Sequence, residues 1–261
     1  NYSKYEFEPL FKYKVDTDGS YEWNVRAHNN LSASKSASSN RTFYVGDVCR
    51  PLTEPGTYYL TSNISSNATC FTVLSDNVTI DGQGYTINYS QSSDGYGVDG
   101  LSGFDNLTVR NVSFVYGGGS ATARAVWLNG AYDSSILDTT VVAGESYGFR
   151  VENSDGVNIS GNTISVGDVG YRHGIRLIYS DDGYVGRNNV TVIGFNANAV
   201  NVWVSGGVVL RDNNFTSSFG ESVLVHLGGS SPPDIDQSNL VHGLPVHANA
   251  SIADVLVLED V

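Results

Sequence analysis

Apolar and polar residues alternate along most of this chain in a rhythm that recurs at nearly constant spacing. Four segments align without gaps: AVWLNGAYDSSILDTTV from Ala125, GFRVENSDGVNISGNTI from Gly148, GIRLIYSDDGYVGRNNV from Gly174 and AVNVWVSGGVVLRDNNF from Ala199. In each, the second apolar strand position and a later apolar anchor stand thirteen apart: Leu128 to Val141, Val151 to Ile164, Leu177 to Val190, and Val202 to Phe215. Successive units start 23, 26 and 25 residues apart. A short period-two strand, a turn and a second short strand, repeated at this spacing, predict one coil of a parallel β-helix per unit, with slack taken up in loops.

The physics of such a coil assigns roles to its residues. Val126/Leu128, Phe149/Val151, Ile175/Leu177, Val200/Val202 and Val223/Val225 are predicted to point inward and stack coil upon coil. The small residues Ala125, Gly148, Gly174, Ala199 and Ser222 precede each strand, where the chain bends. Asn162, Asn188 and Asn213 hold equivalent turn positions, where Asn tolerates left-handed backbone and can hydrogen-bond along a ladder. One coil cannot bury its apolar face alone, so the array must be continuous.

Less regular coils flank this core. CFTVLSDNVTIDGQGYTI from Cys70 and VDGLSGFDNLTVRNVSF from Val98 keep the strand-turn-strand pattern. The segment from Cys49 to Cys70 reads as an opening hairpin with Pro55-Gly56 at its turn. After Ser222 the pattern loosens at GGSSPPDIDQ and resumes as NLVHGLPVHANASIADVLVLEDV, read as the last one or two coils. The fold class is therefore all-β: a parallel β-helix over residues 47–261, with a smaller β segment over 1–46.

The charge balance narrows the partners. Fourteen Lys and Arg against 27 Asp and Glu give a net charge of −13, which disfavours nucleic acid. No apolar run approaches the ~18 residues that would span a bilayer, so no membrane span is expected in this segment. The chain has no Met, position 1 included, as a mature form or a piece of a longer product would. Cys49 and Cys70, 21 residues apart, are expected to bond in an oxidising compartment, the alternative being two buried thiols. The triplet Asn-x-Ser/Thr occurs at Asn1, Asn30, Asn40, Asn63, Asn67, Asn77, Asn88, Asn106, Asn111, Asn158, Asn189, Asn214 and Asn249. These are N-glycosylation candidates and equally good turn-then-strand chemistry; as glycan sites they place the protein outside the cell, at its surface.

Two resemblances follow from particular residues. The stretch CRPLTEPGTYYLTSNISSNATCFTVLSDNVTIDGQG, the Gly-Phe-Arg-Val and Gly-Ile-Arg-Leu coils, and the Asn-x-Val-x-Gly-x-Pro-Val tail resemble the right-handed parallel β-helix repeat family of carbohydrate-binding and sugar-hydrolase type, as found in archaeal cell-surface proteins. Upstream, Tyr21-x-Trp23-x-Val25 and Arg41-Thr42-Phe43-x-Val45 resemble the closing strands of an immunoglobulin- or fibronectin-like sandwich. Only about half of such a sandwich is present, which implies completion by lost upstream chain or by another subunit. The solenoid resemblance specifies fold well and activity poorly, because the same scaffold carries lyases, hydrolases, epimerases, adhesins and inert spacers.

No catalytic set assembles in the sequence. Asp168, Asp181 and Asp182, with Arg172, His173 and Arg176 nearby, are the acidic and basic candidates. Asp181-Asp182-Gly183 sits at the turn where the coil before has Ser154-Asp155-Gly156. The sugar-hydrolase signature of paired Asp with downstream Gly-His-Gly and Arg-x-Lys is not matched by Arg172-His173-Gly174. Asp16-Thr17-Asp18-Gly19 lacks the closing acid of a calcium loop, and His28, His173, His226, His242 and His247 have no metal-ligand spacing, so no metal or cofactor is predicted.

The outward positions of the stacked strand are more informative. Trp127, Arg150, Arg176, Asn201 and Leu224 form one expected ladder, and Asn129, Glu152, Ile178, Trp203 and His226 a second beside it. Three readings are open: a solvated face whose tryptophans are covered by loop 116–123 or 167–173, a protein contact, or a sugar-stacking surface. Taken together, the sequence predicts an extracellular structural protein, a self-associating module of a filament, sheath or adhesin. The alternative is a polysaccharide-active enzyme (lyase, hydrolase or epimerase) or a carbohydrate-binding module using Trp127, Arg150, Glu152, Arg176, Trp203 and His226.

Overall fold

A computed structural model of the protein describes residues 19–23, 26–28, 34–36, 41–45, 48–167, 170–219, 222–226, 231–245 and 255–257. It is an all-β parallel solenoid. The chain passes in turn through three sheets, here I, II and III, and repeats this circuit in eight coils from Arg50–Leu52 to Leu240–Val241. Sheet I carries Tyr96–Gly100, Arg124–Asn129, Tyr147–Glu152, Ile175–Ile178, Val200–Trp203 and Val223–His226.

The expected inward residues stack in register. Val126 pairs with Phe149, Phe149 with Ile175, Ile175 with Val200, and Val200 with Val223. Phe114, Val141, Ile164, Val190 and Phe215 form the matching column on sheet III. The thirteen-residue spacing is thus the distance from the sheet I column to the sheet III column of one coil. A single apolar cluster runs from Leu52 to Val225 through the prism. Crowding explains the small residues before the sheet I strands: a Cβ at Gly148 would sit 2.1 Å from the Gly174 carbonyl oxygen, and one at Gly174 2.2 Å from a Val190 methyl.

The asparagines form their ladder between sheets II and III. Asn162 Nδ2 donates to Asn188 Oδ1 at 2.9 Å, Asn188 to Asn213 at 2.9 Å, and Asn213 to Asn239 at 2.8 Å. The left-handed backbone lies one residue earlier than expected, at Asp138, Gly161, Arg187 and Asp212. The asparagines are therefore selected for their amides, which satisfy buried backbone groups of neighbouring coils, and not for their backbone geometry.

The opening of the solenoid differs from the sequence reading. Arg50–Leu52 does not fold back on Gly56–Tyr59; it pairs in parallel with Phe71–Val73 on sheet I, while Gly56–Tyr59 lies on sheet II. The expected opening hairpin is a complete first coil, because its strands find better partners one coil on than across the Pro55-Gly56 bend. Arg41–Val45, within the segment read as part of a sandwich, extends sheet II in parallel, and Gly19–Trp23 closes that edge antiparallel. Residues 1–18, including Asp16 and Asp18, lie outside the described residues. At the other end one coil follows Ser222, and then Leu244–Pro245 and Val255–Val257 turn back antiparallel on sheets III and I. Cys49 and Cys70 are disulfide-bonded, with Cα atoms 4.4 Å apart, and bridge the first coil to the second. A disulfide fits an extracellular, oxidising setting.

Candidate functional site

Sheet I places the predicted ladders as rows. Asp99, Trp127, Arg150, Arg176, Asn201 and Leu224 are successive register partners, as are Asn129, Glu152, Ile178, Trp203 and His226. The rows are not evenly open to solvent: Asn201 and Ile178 are buried, whereas Trp127, Arg150, Glu152, Arg176, Trp203 and His226 are half-buried.

A third row lies beside them that sequence reasoning missed. Tyr96, Arg124 and Tyr147 are in register at the corner leading into sheet I. His173 and Asn198 continue the row, joined by a hydrogen bond from the Asn198 amide to His173 Nδ1 at 3.1 Å. All five stand immediately before the residue at which the chain bends. Extending the coil alignment by one column would have collected them.

The three rows build a cationic, aromatic surface around Arg150. Arg150 Nε donates to Glu152 Oε1 at 2.6 Å, and Trp127 Nε1 donates to Glu152 Oε2 at 3.3 Å. Glu152 is thus occupied on both oxygens. Arg124 is caged by the rings of Trp127, Tyr147 and Tyr96, 4.0, 5.1 and 5.8 Å from its guanidinium carbon. Arg172 Nη1 donates to the Tyr147 hydroxyl at 3.0 Å. On the second row the Trp203 and His226 rings pack with centroids 3.9 Å apart, tilted 38° to each other.

The electrostatics follow from this crowding. Burial, and after it the charge of Arg150, lowers the pKa of both Arg124 and Arg176. His173 is pushed down to about 3, by burial first and then by Arg176, Arg150 and Arg172, so it is neutral at physiological pH. With Nδ1 accepting from Asn198, the imidazole proton is assigned to Nε2. Burial raises the Asp99 carboxyl at one end of the row. Three buried polar atoms of the face have no hydrogen-bond partner: Arg124 Nε, Arg176 Nε and Asn201 Oδ1. Such atoms are costly to leave unpaired.

The other sequence candidates lie elsewhere. Asp181 and Asp182 occupy the turn between sheets I and II, where Asp181 Oδ1 accepts the Gly206 amide at 2.6 Å and Asp182 has φ 56°. Asp168 lies outside the described residues, as do Asn1, Asn30, Asn40, Asn249 and His247. Asn63, Asn67, Asn77, Asn106, Asn111 and Asn189 are exposed, and Asn88, Asn158 and Asn214 half-buried. These nine lie on sheets II and III or at corners, and none is on a strand of sheet I. Among the described residues no group of three or more His, Cys, Asp or Glu side chains is placed to hold a metal ion.

No family model matches the chain, and no curated protein matches it. Among solved structures it is similar to the Dettilon tailspike protein, at 7% identity over 76% of this chain and 62% of that one, with a TM-score of 0.28. It is also similar to the A-module of an Azotobacter vinelandii mannuronan C-5 epimerase, at 13% identity over 76% of this chain and 91% of that one, with a TM-score of 0.19. The chain therefore spans less than two thirds of the tailspike's length. Likeness at this level carries no functional argument.

Proposed function

We propose that this chain is an extracellular β-helix protein that binds an acidic polysaccharide along sheet I. The observation that carries the reading is the collection of Arg124, Arg150, Arg172 and Arg176 around one face of a chain with net charge −13, where the Glu152 carboxylate is already held by Arg150 and Trp127. A positive face on an acidic protein concentrates anions locally, and the half-buried Trp127 and Trp203 add aromatic surface beside it. The nine described sequons are placed off this sheet, so glycans on them would leave it clear.

Affinity electrophoresis tests the reading. Mobility is expected to fall in gels containing polygalacturonate and to be unchanged in neutral galactan, with the effect weakening as salt rises. The double variant Arg150→Ala/Arg176→Ala is expected to run unretarded. Equal mobility in the polygalacturonate and galactan gels would overturn the proposal.

One observation favours a second reading, in which the bound polymer is also turned over. The Tyr147 hydroxyl accepts a guanidinium hydrogen bond from Arg172. Removal of the proton α to a uronate carboxylate sends its electron pair into a new double bond as the glycosidic C4–O bond breaks, and the leaving oxygen takes up the abstracted proton. That step needs an oxygen or nitrogen acceptor beside a cation that stabilises the developing charge, and Arg176 supplies such a cation. Appearance of an unsaturated uronate product, abolished in Tyr147→Phe with binding retained, is the outcome that supports turnover. Assembly into a filament, sheath or adhesin would instead use the solenoid ends. There Gly19–Trp23 and Val255–Val257 lie antiparallel on the outer strands, so the arginine face is the better-supported contact.

A further inference from the structure

Resting on the acidic-polysaccharide reading, we infer that Tyr171 and Phe195, at the corner between sheets III and I, form an aromatic platform for one sugar ring, with Arg172 beside it to hold that sugar's carboxylate. Phe195 ends the sheet III strand Asn189–Phe195, and Tyr171 stands at the corner leading into Ile175–Ile178. They carry the two most exposed aromatic side chains among the described residues, at 61% for Tyr171 and 65% for Phe195. Their rings meet edge to face with centroids 6.5 Å apart, and the Tyr171 amide donates to the Phe195 carbonyl at 2.9 Å, which fixes one backbone against the other. The pair is continuous with the arginine face. Arg172 follows Tyr171 in the chain, and its guanidinium carbon lies over the Tyr147 ring, 4.7 Å from the centroid.

The backbone shows that the exposed ring is not there for packing. Tyr171 has φ 64°, in the left-handed region that a bulky side chain rarely enters. The next coil meets the same bend with Asn196 at φ 55°, a residue type that adopts it at little cost. A tyrosine at this bend holds strain and, mostly exposed, returns little burial to offset it; strain kept at an exposed ring points to a use for the ring. A pre-placed aromatic ring offers a rigid apolar face to the C–H side of a sugar while the sugar's hydroxyls stay in water. Arg172 decides which sugar. Its Nε donates to the Glu145 carbonyl at 3.4 Å and its Nη1 to the Tyr147 hydroxyl at 3.0 Å, while Nη2 is neither hydrogen-bonded nor buried among the described residues. That nitrogen is open to a charge-assisted bond from a carboxylate. The exposed side chain of Glu145 is the opposing charge at this corner.

The test is titration calorimetry of the intact chain with polygalacturonate, run beside thermal melts. Tyr171→Asn suits the left-handed bend and removes the ring, so affinity is expected to fall about fivefold while the melting temperature is no lower than the native one. Phe195→Ala is expected to weaken binding in the same direction. Arg172→Gln is expected to weaken binding and flatten its salt dependence, whereas Tyr171→Asn leaves that dependence as it is in the native protein. Glu145→Gln is expected to tighten binding. Unchanged affinity in either aromatic variant, or a salt dependence that Arg172→Gln leaves as steep as before, overturns the inference and leaves the acidic-polysaccharide reading standing. A lowered melting temperature in Tyr171→Asn overturns it too, because the ring would then be a packing residue. Absence of binding by the native protein overturns that reading itself.

Discussion

The guanidinium of Arg124 lies over the indole of Trp127, 4.0 Å from the ring centroid, with Nη1 donating to the Thr122 carbonyl at 2.8 Å. Arg124 is 7% exposed, so three aromatic rings stand in for most of the water this cation would otherwise hold. Desolvated cation–π contacts contribute about 2 kcal/mol, and truncation would also open a cavity among the rings. Arg124→Ala is therefore expected to lower unfolding free energy by about 3 kcal/mol in urea titrations and to shift the tryptophan emission. A cost under about 0.5 kcal/mol, the range of ordinary surface substitutions, would show that the cage contributes nothing.

The asparagine ladder makes a second stability prediction, with a gradient along the solenoid. Asn188 Nδ2 donates to Asn213 Oδ1 and to the Ile159 carbonyl, while its Oδ1 accepts from the Asn162 amide and side chain. Removing it strands buried groups on the two flanking coils, each costing about 1–3 kcal/mol. Asn188→Ala is expected to unfold the array well before Asn189→Ala, because Asn189 is exposed and accepts only a surface bond from Asn214 Nδ2 at 3.1 Å. Matching melting temperatures for the two variants would contradict the ladder's role.

How much of this was legible in the sequence depends on the range of each signal. Leu128, Val151 and Leu177 announce themselves because period two and the coil repeat coincide, and aligning them carries Arg150 and Arg176 into the same row. Pro55-Gly56 misleads because a turn signal is local, whereas Arg50–Leu52 finds its partner in Phe71–Val73, a full coil away. Arg124, Tyr147 and His173 were missed as a row because the column changes residue type at every coil. Its burial arises from the corner closing over it, which no periodicity records. The orphan atoms on Arg176 and Asn201 are legible only in three dimensions.

His173 makes the face a source of acid sensitivity. Its pKa in the folded chain is about 3, against an ordinary 6.5. Above pH 6.5 the imidazole is neutral in both states and its contribution is whole. As pH falls from 6.5 towards 3, the unfolded chain takes up a proton that the folded chain, with Arg176, Arg150 and Arg172 around the ring, does not. Stability is then lost at about 1.4 kcal/mol per pH unit from this group. His173→Asn keeps an acceptor for the Asn198 amide and cannot titrate, so its stability curve is expected to be flatter than the native one between pH 6 and pH 4. Parallel curves would place the acid sensitivity elsewhere, in the carboxylates.

The disulfide acts on the end of the rod and not on the face. Cys49 and Cys70 close a loop of 21 residues around the first coil, which in the chain-entropy model stabilises by about 3 kcal/mol. Reduction, or Cys49→Ser with Cys70→Ser, is expected to loosen hydrogen-exchange protection first in Arg50–Leu52 and Gly56–Tyr59. Protection in Tyr147–Glu152 and Ile175–Ile178 should persist, because a solenoid coil depends directly only on its neighbours. Simultaneous loss across all four strands would mean that the solenoid unfolds as one unit from this end.

The placement of the sequons gives the last prediction. Asn63, Asn67, Asn106, Asn111 and Asn189 are exposed, whereas the Asn158 Oδ1 is buried without a partner. Material from a host that N-glycosylates is expected to carry sugar at the first five and little at Asn158, as read by mass spectrometry of peptides. Because none of these positions lies on a strand of sheet I, the glycosylated and bare proteins are expected to bind polygalacturonate with the same affinity. A coat of neutral glycan would instead slow self-association through sheets II and III. Loss of polymer binding on glycosylation, reversed by enzymatic removal of the sugar, would move the binding surface off sheet I and onto the sheets that carry the sequons.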